Sequence, residues 1–191
     1  NRGADAKKIL IEILEKQPTN TVVLNNLGLA SVQCGDNIKA ETYYNKALNL
    51  EPDFLSALVN LGNLKMTQNK SEEAKECFLK ALITDNQLIP AKISLAGYYE
   101  QSGNFKEAKK LYKEVLLINP DFTIADKSLS LIHKYKSDDD HIKVMEEKLT
   151  KDLGDDRTKG LDFALGKAYE DIGYYKKSFK FYEHGNKIYK K

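Results

Sequence analysis

The sequence predicts an all-α solenoid of paired antiparallel helices, and three observations carry that prediction. A spacing of 34 residues recurs along the chain, small and aromatic residues keep fixed places within each period, and glycine and proline fall at the joints. Leu27, Leu61, Leu95 and Leu129 mark the period. Gly28 and Gly62 follow the first two, with Ala96 in the same place of the third. Ala40, Ala74 and Ala108 form a second series, Tyr44, Phe78 and Tyr112 a third, and Ala47, Ala81 and Val115 a fourth. Pro52 and Pro120 stand two periods apart, and one period back from the first repeat lie Ala6 and Pro18.

Each element follows from these series. The segments Asn20–Cys34 and Asp36–Leu50 space their apolar residues three and four apart, the pattern of half-buried helices. Glycine inside a helix costs roughly 1 kcal/mol against alanine, so Gly28 and Gly62 predict a close approach by a neighbouring element. Ala40, Ala74 and Ala108 predict tight junctions between repeats. Gly35 and Gly103 predict the ends of first helices, and Pro52 and Pro120 follow second helices, where no N–H is needed. The predicted inventory is eleven helices in a single array over 1–191: a half repeat at 3–17, regular repeats at 21–54, 55–88 and 89–122, a degenerate repeat at 123–158, and a final repeat at 159–190. Leu129 and Leu165 are 36 residues apart, and the two extra residues are assigned to a turn at Gly154-Asp155-Asp156. Gly166, Tyr169, Gly173 and Tyr182 restore the pattern.

Composition narrows the function classes. Of 191 residues, 41% are hydrophobic and 30% charged, which suits a packed soluble protein. Thirty basic against twenty-eight acidic residues leave a net charge of +2, with no general pull toward nucleic acid or membranes. The densest apolar run, Val115-Leu116-Leu117-Ile118, is four long, far short of a bilayer span. The chain begins at Asn1 without a leader pattern and reads as a piece of a longer protein. Cys34 and Cys77, 43 residues apart and outside any metal-ligand spacing, read as free thiols in a reducing, cytoplasmic compartment.

Sites of chemistry are not predicted. Asp138-Asp139-Asp140-His141 lacks the spacing of a calcium loop and reads as a helix N-cap, and Asp152 to Asp156 reads as a loop. No phosphate-cradling or nucleophile motif occurs, so no catalytic residue, cofactor or metal is assigned. Lys176, Lys177, Lys180, Lys187, Lys190 and Lys191 face only Glu183, with Tyr182 and Tyr189 interleaved. This reads as a solvated helix face and not as a nucleic-acid site.

Leu-Gly, then Ala-x-x-x-Phe/Tyr-x-x-Ala, then Pro at these offsets resembles the tetratricopeptide repeat (TPR) family. That resemblance implies a right-handed superhelix whose first helices line a concave groove, and a protein-binding scaffold in place of an enzyme. On that geometry the groove residues are Asn26, Leu29 and Gln33, then Asn60, Asn63 and Thr67, then Ser94, Gly97 and Gln101. Amides can donate to and accept from an extended peptide backbone, so a protein or peptide partner is implied. Asn26 and Asn60 resemble half of the asparagine ladder in the TPR region of O-linked N-acetylglucosamine transferases, with Ser94 and Ser128 at the next two places. At the places of the carboxylate clamp of chaperone-tail TPR domains the chain has Asn25, Leu29, Asn60, Pro90 and Ser94, of which one fits. The segments 128–134, 163–171 and 182–186 resemble TPR regions that precede a sulfotransferase domain in bacterial proteins, which implies a recruiting arm as the alternative function. The half repeat at 3–17 leaves an apolar edge for self-association.

Overall fold

The computed structural model describes residues 2–151 and 153–189, with side chains from Lys7 to Ile188 apart from position 152. The sequence expectations for Ala6, Asp152, Tyr189, Lys190 and Lys191 therefore lie outside the described side chains. Among the described residues there are eleven helices and no strand: α1 (Arg2–Lys16), α2 (Thr21–Gln33), α3 (Asn37–Leu50), α4 (Leu55–Thr67), α5 (Ser71–Thr84), α6 (Ile89–Gln101), α7 (Phe105–Ile118), α8 (Thr123–Ile132), α9 (Asp140–Leu149), α10 (Asp155–Asp171) and α11 (Tyr175–Tyr189). The chain divides into two compact units, Asn1–Tyr98 and Tyr99–Lys191.

In the first unit, side-chain caps fix the helix starts. Asn20 accepts a hydrogen bond from the Val23 N–H at 3.0 Å, and Asp36 accepts one from Lys39 at 3.1 Å. The turn from a first to a second helix needs a residue at positive φ. Gly35 supplies it at 75°, and Asn69 takes the same place one period later at 60°. The missing side chains of Gly28 and Gly62 are filled by aromatic rings. A Cβ on Gly28 would overlap Tyr44, and one on Gly62 would overlap Phe78, both rings of the second helix in the same repeat. Ala40 and Tyr44 then meet Leu61 and Leu64 of the following repeat, while Leu24, Ala47 and Ala57 close the layer beneath. The core is thus a strip that passes from one repeat to the next, as the period requires.

The second unit uses the same joint where α10 meets α11. A Cβ on Gly166 would lie 2.6 Å from the Tyr182 ring. Its main cluster joins Tyr135, Ile142 and Met145 to Leu161, Leu165 and Tyr169. Two sequence expectations change here. Asp155 and Asp156 are not in a turn; they form the first turn of α10, entered through Gly154 at φ 77°. Carboxylates in a first turn are favoured by the helix dipole, so this pair suits a helix start as well as a loop. The predicted boundary at 158/159 accordingly falls inside α10. The degenerate repeat has two short helices, α8 and α9, of 10 residues each, joined by the long connection 133–139.

Candidate functional site

The first-helix face of the first unit carries most of the amide strip. Asn26 and Ser94 are half-buried, Leu29 is 39% exposed, and Gln33, Asn63 and Thr67 are exposed. Gln101 is exposed but belongs to the second unit. The structure draws α2 and α4 together at one point of this strip. Asn60 Nδ2 donates to Asn25 Oδ1 at 2.8 Å, and Asn25 is buried. Around this pair lies a hollow of about 270 Å³, bounded by Leu29, Ser56, Val59, Leu88 and Pro90.

This geometry redistributes the roles expected of the amides. Asn60 spends a donor within the chain and holds its amide plane fixed beside the hollow. Thr67 donates its hydroxyl to the Leu64 carbonyl at 2.7 Å, so its proton is spent on its own helix. Asn63 remains exposed on the strip, and Gly97 leaves the surface of α6 open, with nothing within 4 Å of where its Cβ would be. Asn25 was missed as a neighbour of Asn60 because the 34-residue period pairs Asn60 with Asn26. The bond runs one residue diagonally instead, and that offset depends on how far one helix slides along the next.

The family model of the tetratricopeptide repeat matches residues 22–54, 55–85, 89–122 and 163–191. The chain belongs to the TPR family. Solved structures agree on the fold. YrrB, described as a TPR protein with an unusual peptide-binding site, superposes with a TM-score of 0.68 at 17% identity, over 96% of this chain and 93% of that one. MamA from Desulfovibrio magneticus RS-1 gives 0.64 at 19% identity, over 78% and 88%. The Cut9–Hcn1 structure gives 0.76 at 16% identity, over 97% of this chain and 36% of that one. No curated protein matches the chain in sequence. TPR domains serve protein interaction, and the family sets that role for this chain at the level of a scaffold. No helix among the described residues is long and apolar enough to cross a membrane.

Around α8 and α9 of the second unit lies a polar network that sequence reasoning passed over. Asp126 is fully buried, and Lys148 Nζ donates to both its oxygens at 2.8 and 2.7 Å. His141 Nε2 lies 2.9 Å from Asp126 Oδ1, its Nδ1 lies 2.8 Å from the Tyr135 hydroxyl, and that hydroxyl lies 2.7 Å from Ser130 Oγ. A serine, a histidine and an aspartate thus share one chain of hydrogen bonds. Tyr135 separates the serine from the histidine, both imidazole nitrogens are engaged, and Ser130 is fully buried. The arrangement presents no nucleophile to a substrate; it ties α8, the 133–139 connection and α9 together alongside the apolar contacts of Ile142 and Met145. Burial pushes the Tyr135 phenol well above its ordinary range, so it stays protonated within the network. The expected cap at Asp138-Asp139-Asp140 resolves to Asp139, which accepts from the His141 N–H at 3.1 Å. Burial works to raise the Asp139 carboxyl, but the hydrogen bonds from His133 and from the His141 N–H, with the electrostatic attraction of both residues, together outweigh it and hold the group below its ordinary value.

Proposed function

We propose that the first-helix face of the first unit binds an extended segment of a partner protein. The observation that carries this reading is the hollow beside the fixed Asn25–Asn60 pair. It offers apolar walls from Leu29, Val59 and Pro90 for one side chain and an oriented amide for the adjacent backbone. Asn26, Asn63, Ser94 and Gln33 extend the polar strip on either side, and Gln101 continues it in sequence. On this reading the chain recruits and does not catalyse, needs no cofactor or metal, takes no nucleic acid, and works in the reducing cytoplasm with Cys34 and Cys77 as thiols.

The test is a peptide selected against this chain from a random library, followed by Leu29→Asp. Leu29 is part-exposed, so the substitution spares the core. Affinity is expected to fall about tenfold or more, and Asn63→Ala to cost two- to tenfold, in line with roughly 0.5–1.5 kcal/mol for a net hydrogen bond. Unchanged affinity in both variants, with helical signal intact, contradicts the assignment. Asn60→Ala is a poorer probe, because it strips the buried Asn25 of its donor.

A second reading, which rests on the resemblance of segments 128–134, 163–171 and 182–186, is the recruiting arm of a sulfotransferase. Residues 182–186 sit firmly in the fold, with His184 Nδ1 2.6 Å from the buried Asp162 carboxylate and Gly185 packed on Asp162 and Phe163. A phosphate-binding loop in residues following Lys191 would support that reading, and an unrelated continuation would remove it. Self-association through α1 is a further part of the proposal. Ile9 is 59% exposed there, and Ile13, one turn on along the same face, 36%. Sedimentation is expected to show a dimer that Ile9→Asp dissolves; a monomer at all concentrations would contradict it.

A further inference from the structure

One face of α7, in the second unit, carries a row of lysines. Lys106, Lys109, Lys110 and Lys113 are spaced three, one and three apart, which sets them side by side along the helix. Lys109 is half-buried and the other three are exposed. All four border one surface hollow, with Leu117 and a single carboxylate, Glu114. Among the described residues, no side chain of the four takes part in an ion pair or hydrogen bond. Like charges three and four apart work against the helix that carries them, and the repeat does not require them. One period back the same places hold Glu72, Lys75, Glu76 and Leu79, and two periods back Ile38, Glu41, Thr42 and Asn45. At Lys113 and Leu117 the row runs into a second hollow, of about 510 Å³. Leu116, Leu117 and Pro120 wall it from the end of α7, Leu129 from α8 and Val144 from α9. Because α8 and α9 already form its far side, it is not the face that a following repeat covers. The carboxylates there are held, Asp139 by His133 at 2.6 Å and Asp140 by Lys143 at 3.2 Å.

We propose that the lysine row and the adjoining hollow bind an acidic peptide segment that carries one large apolar side chain, on second helices and apart from the first-helix strip. Charge complementarity selects the occupant. Four ammonium groups against one carboxylate attract a run of glutamate or aspartate, and fix where along α7 that run settles. The apolar walls of the hollow then take a phenylalanine- or leucine-sized side chain as the anchor. The spacing follows from the helix. At about 1.5 Å per residue the row from Lys106 to Lys113 is about 10 Å long, the reach of about three extended residues. Leu117 lies one turn further, about 6 Å, so the apolar residue belongs about two positions beyond the last acid. A nucleic acid would also meet the lysines, but neither hollow offers a phenyl, phenol or indole ring for a base to stack on.

A fluorescein-labelled synthetic peptide tests this by anisotropy. It has three glutamates flanked on each side, across one serine, by a phenylalanine, so that either chain direction seats one ring. Its comparison forms replace the glutamates by lysine or the phenylalanines by alanine. The parent peptide is expected to bind this chain about tenfold or more tightly than either comparison form. Lys110→Glu with Lys113→Glu is expected to weaken it by a similar factor. Val144→Asp is expected to abolish the advantage of the phenylalanine form over the alanine form, while Leu29→Asp in the first unit leaves all three peptides unchanged. Circular dichroism checks that the helices persist, and should Val144→Asp lose them, Leu117→Asp, at a position 83% exposed, carries the same expectation. No binding, equal binding of the three peptides, or affinity indifferent to the lysine or the hollow variant would overturn the proposal. Loss of binding in Leu29→Asp would overturn it too, by moving the peptide to the first-helix face. So would single-stranded RNA or phosphatidylserine vesicles that bind more tightly than the peptide, respond to the lysine variant and ignore Val144→Asp.

Discussion

At Gly62 one methyl group sets two effects against each other. Alanine is the better helix former by roughly 1 kcal/mol, so on propensity alone Gly62→Ala would stabilise α4. The Phe78 ring, fully buried, already occupies the space that a Cβ needs, and neither can yield without moving the helix pair apart. Overpacking of a closed core costs about 1–3 kcal/mol, so the steric effect wins and the variant is expected to melt below the parent. Gly97 is the control. It lies within α6 with nothing near its would-be Cβ, and Gly97→Ala is expected to raise the melting temperature. Ala74 makes the same point at a junction: it is fully buried, and Ala74→Leu is expected to lose about 1–3 kcal/mol. Equal melting of parent, Gly62→Ala and Ala74→Leu would contradict this account of the joints. The sequence made these joints legible because a small residue and its aromatic partner recur at fixed offsets. It did not reveal the Asn25–Asn60 bond, since periodicity aligns equivalent residues and is blind to the diagonal neighbours that a helix offset brings together.

Among the elements, the degenerate repeat was the least legible. Gly154-Asp155-Asp156 suits a turn and a helix start on the same chemistry, and only packing of the following Leu161 and Leu165 chooses the helix. The buried Asp126–Lys148 pair was hidden for a related reason, because charged residues at apolar-face spacing look like interruptions of a pattern until their partners are placed. Ion pairs between elements also set the acid sensitivity. The Lys65 hydrogen bond holds the Glu41 carboxyl below its ordinary 4.5. Burial works to raise Asp171, yet Lys134, Lys167 and the Tyr135 N–H outweigh it and hold it below 3.8. A carboxylate whose value is lowered by folding stabilises above its unfolded pKa, and that contribution drains away as the pH falls through the folded one. Asp162 runs the other way: burial raises it, so its contribution falls as the pH rises. With Glu41, Asp139 and Asp171 lowered against Asp162 raised, the melting temperature is expected to hold above about pH 5 and to drop progressively below about 4.5. Glu41→Gln is expected to shallow that drop; an acid limb as steep as the parent's would show that the Lys65–Glu41 contact carries none of it.

For the whole molecule, family and function were legible to different depths. The period alone led to the TPR fold, because each repeat can bury its apolar face only on a neighbour and the pattern must therefore return. A binding surface obeys no such rule. Its residues are those that the core leaves free, and sequence marks them only by what they are not. Chemical-shift mapping with a selected peptide tests the central claim most directly. The side-chain amides of Asn26, Asn60 and Asn63, with the backbone amides around Leu29 and Val59, are expected to move together as the peptide is added, while the outer faces of α3 and α5 stay silent. Shifts confined to α3 and α5, or to the second unit, would contradict the assignment of partner binding to the first-helix face.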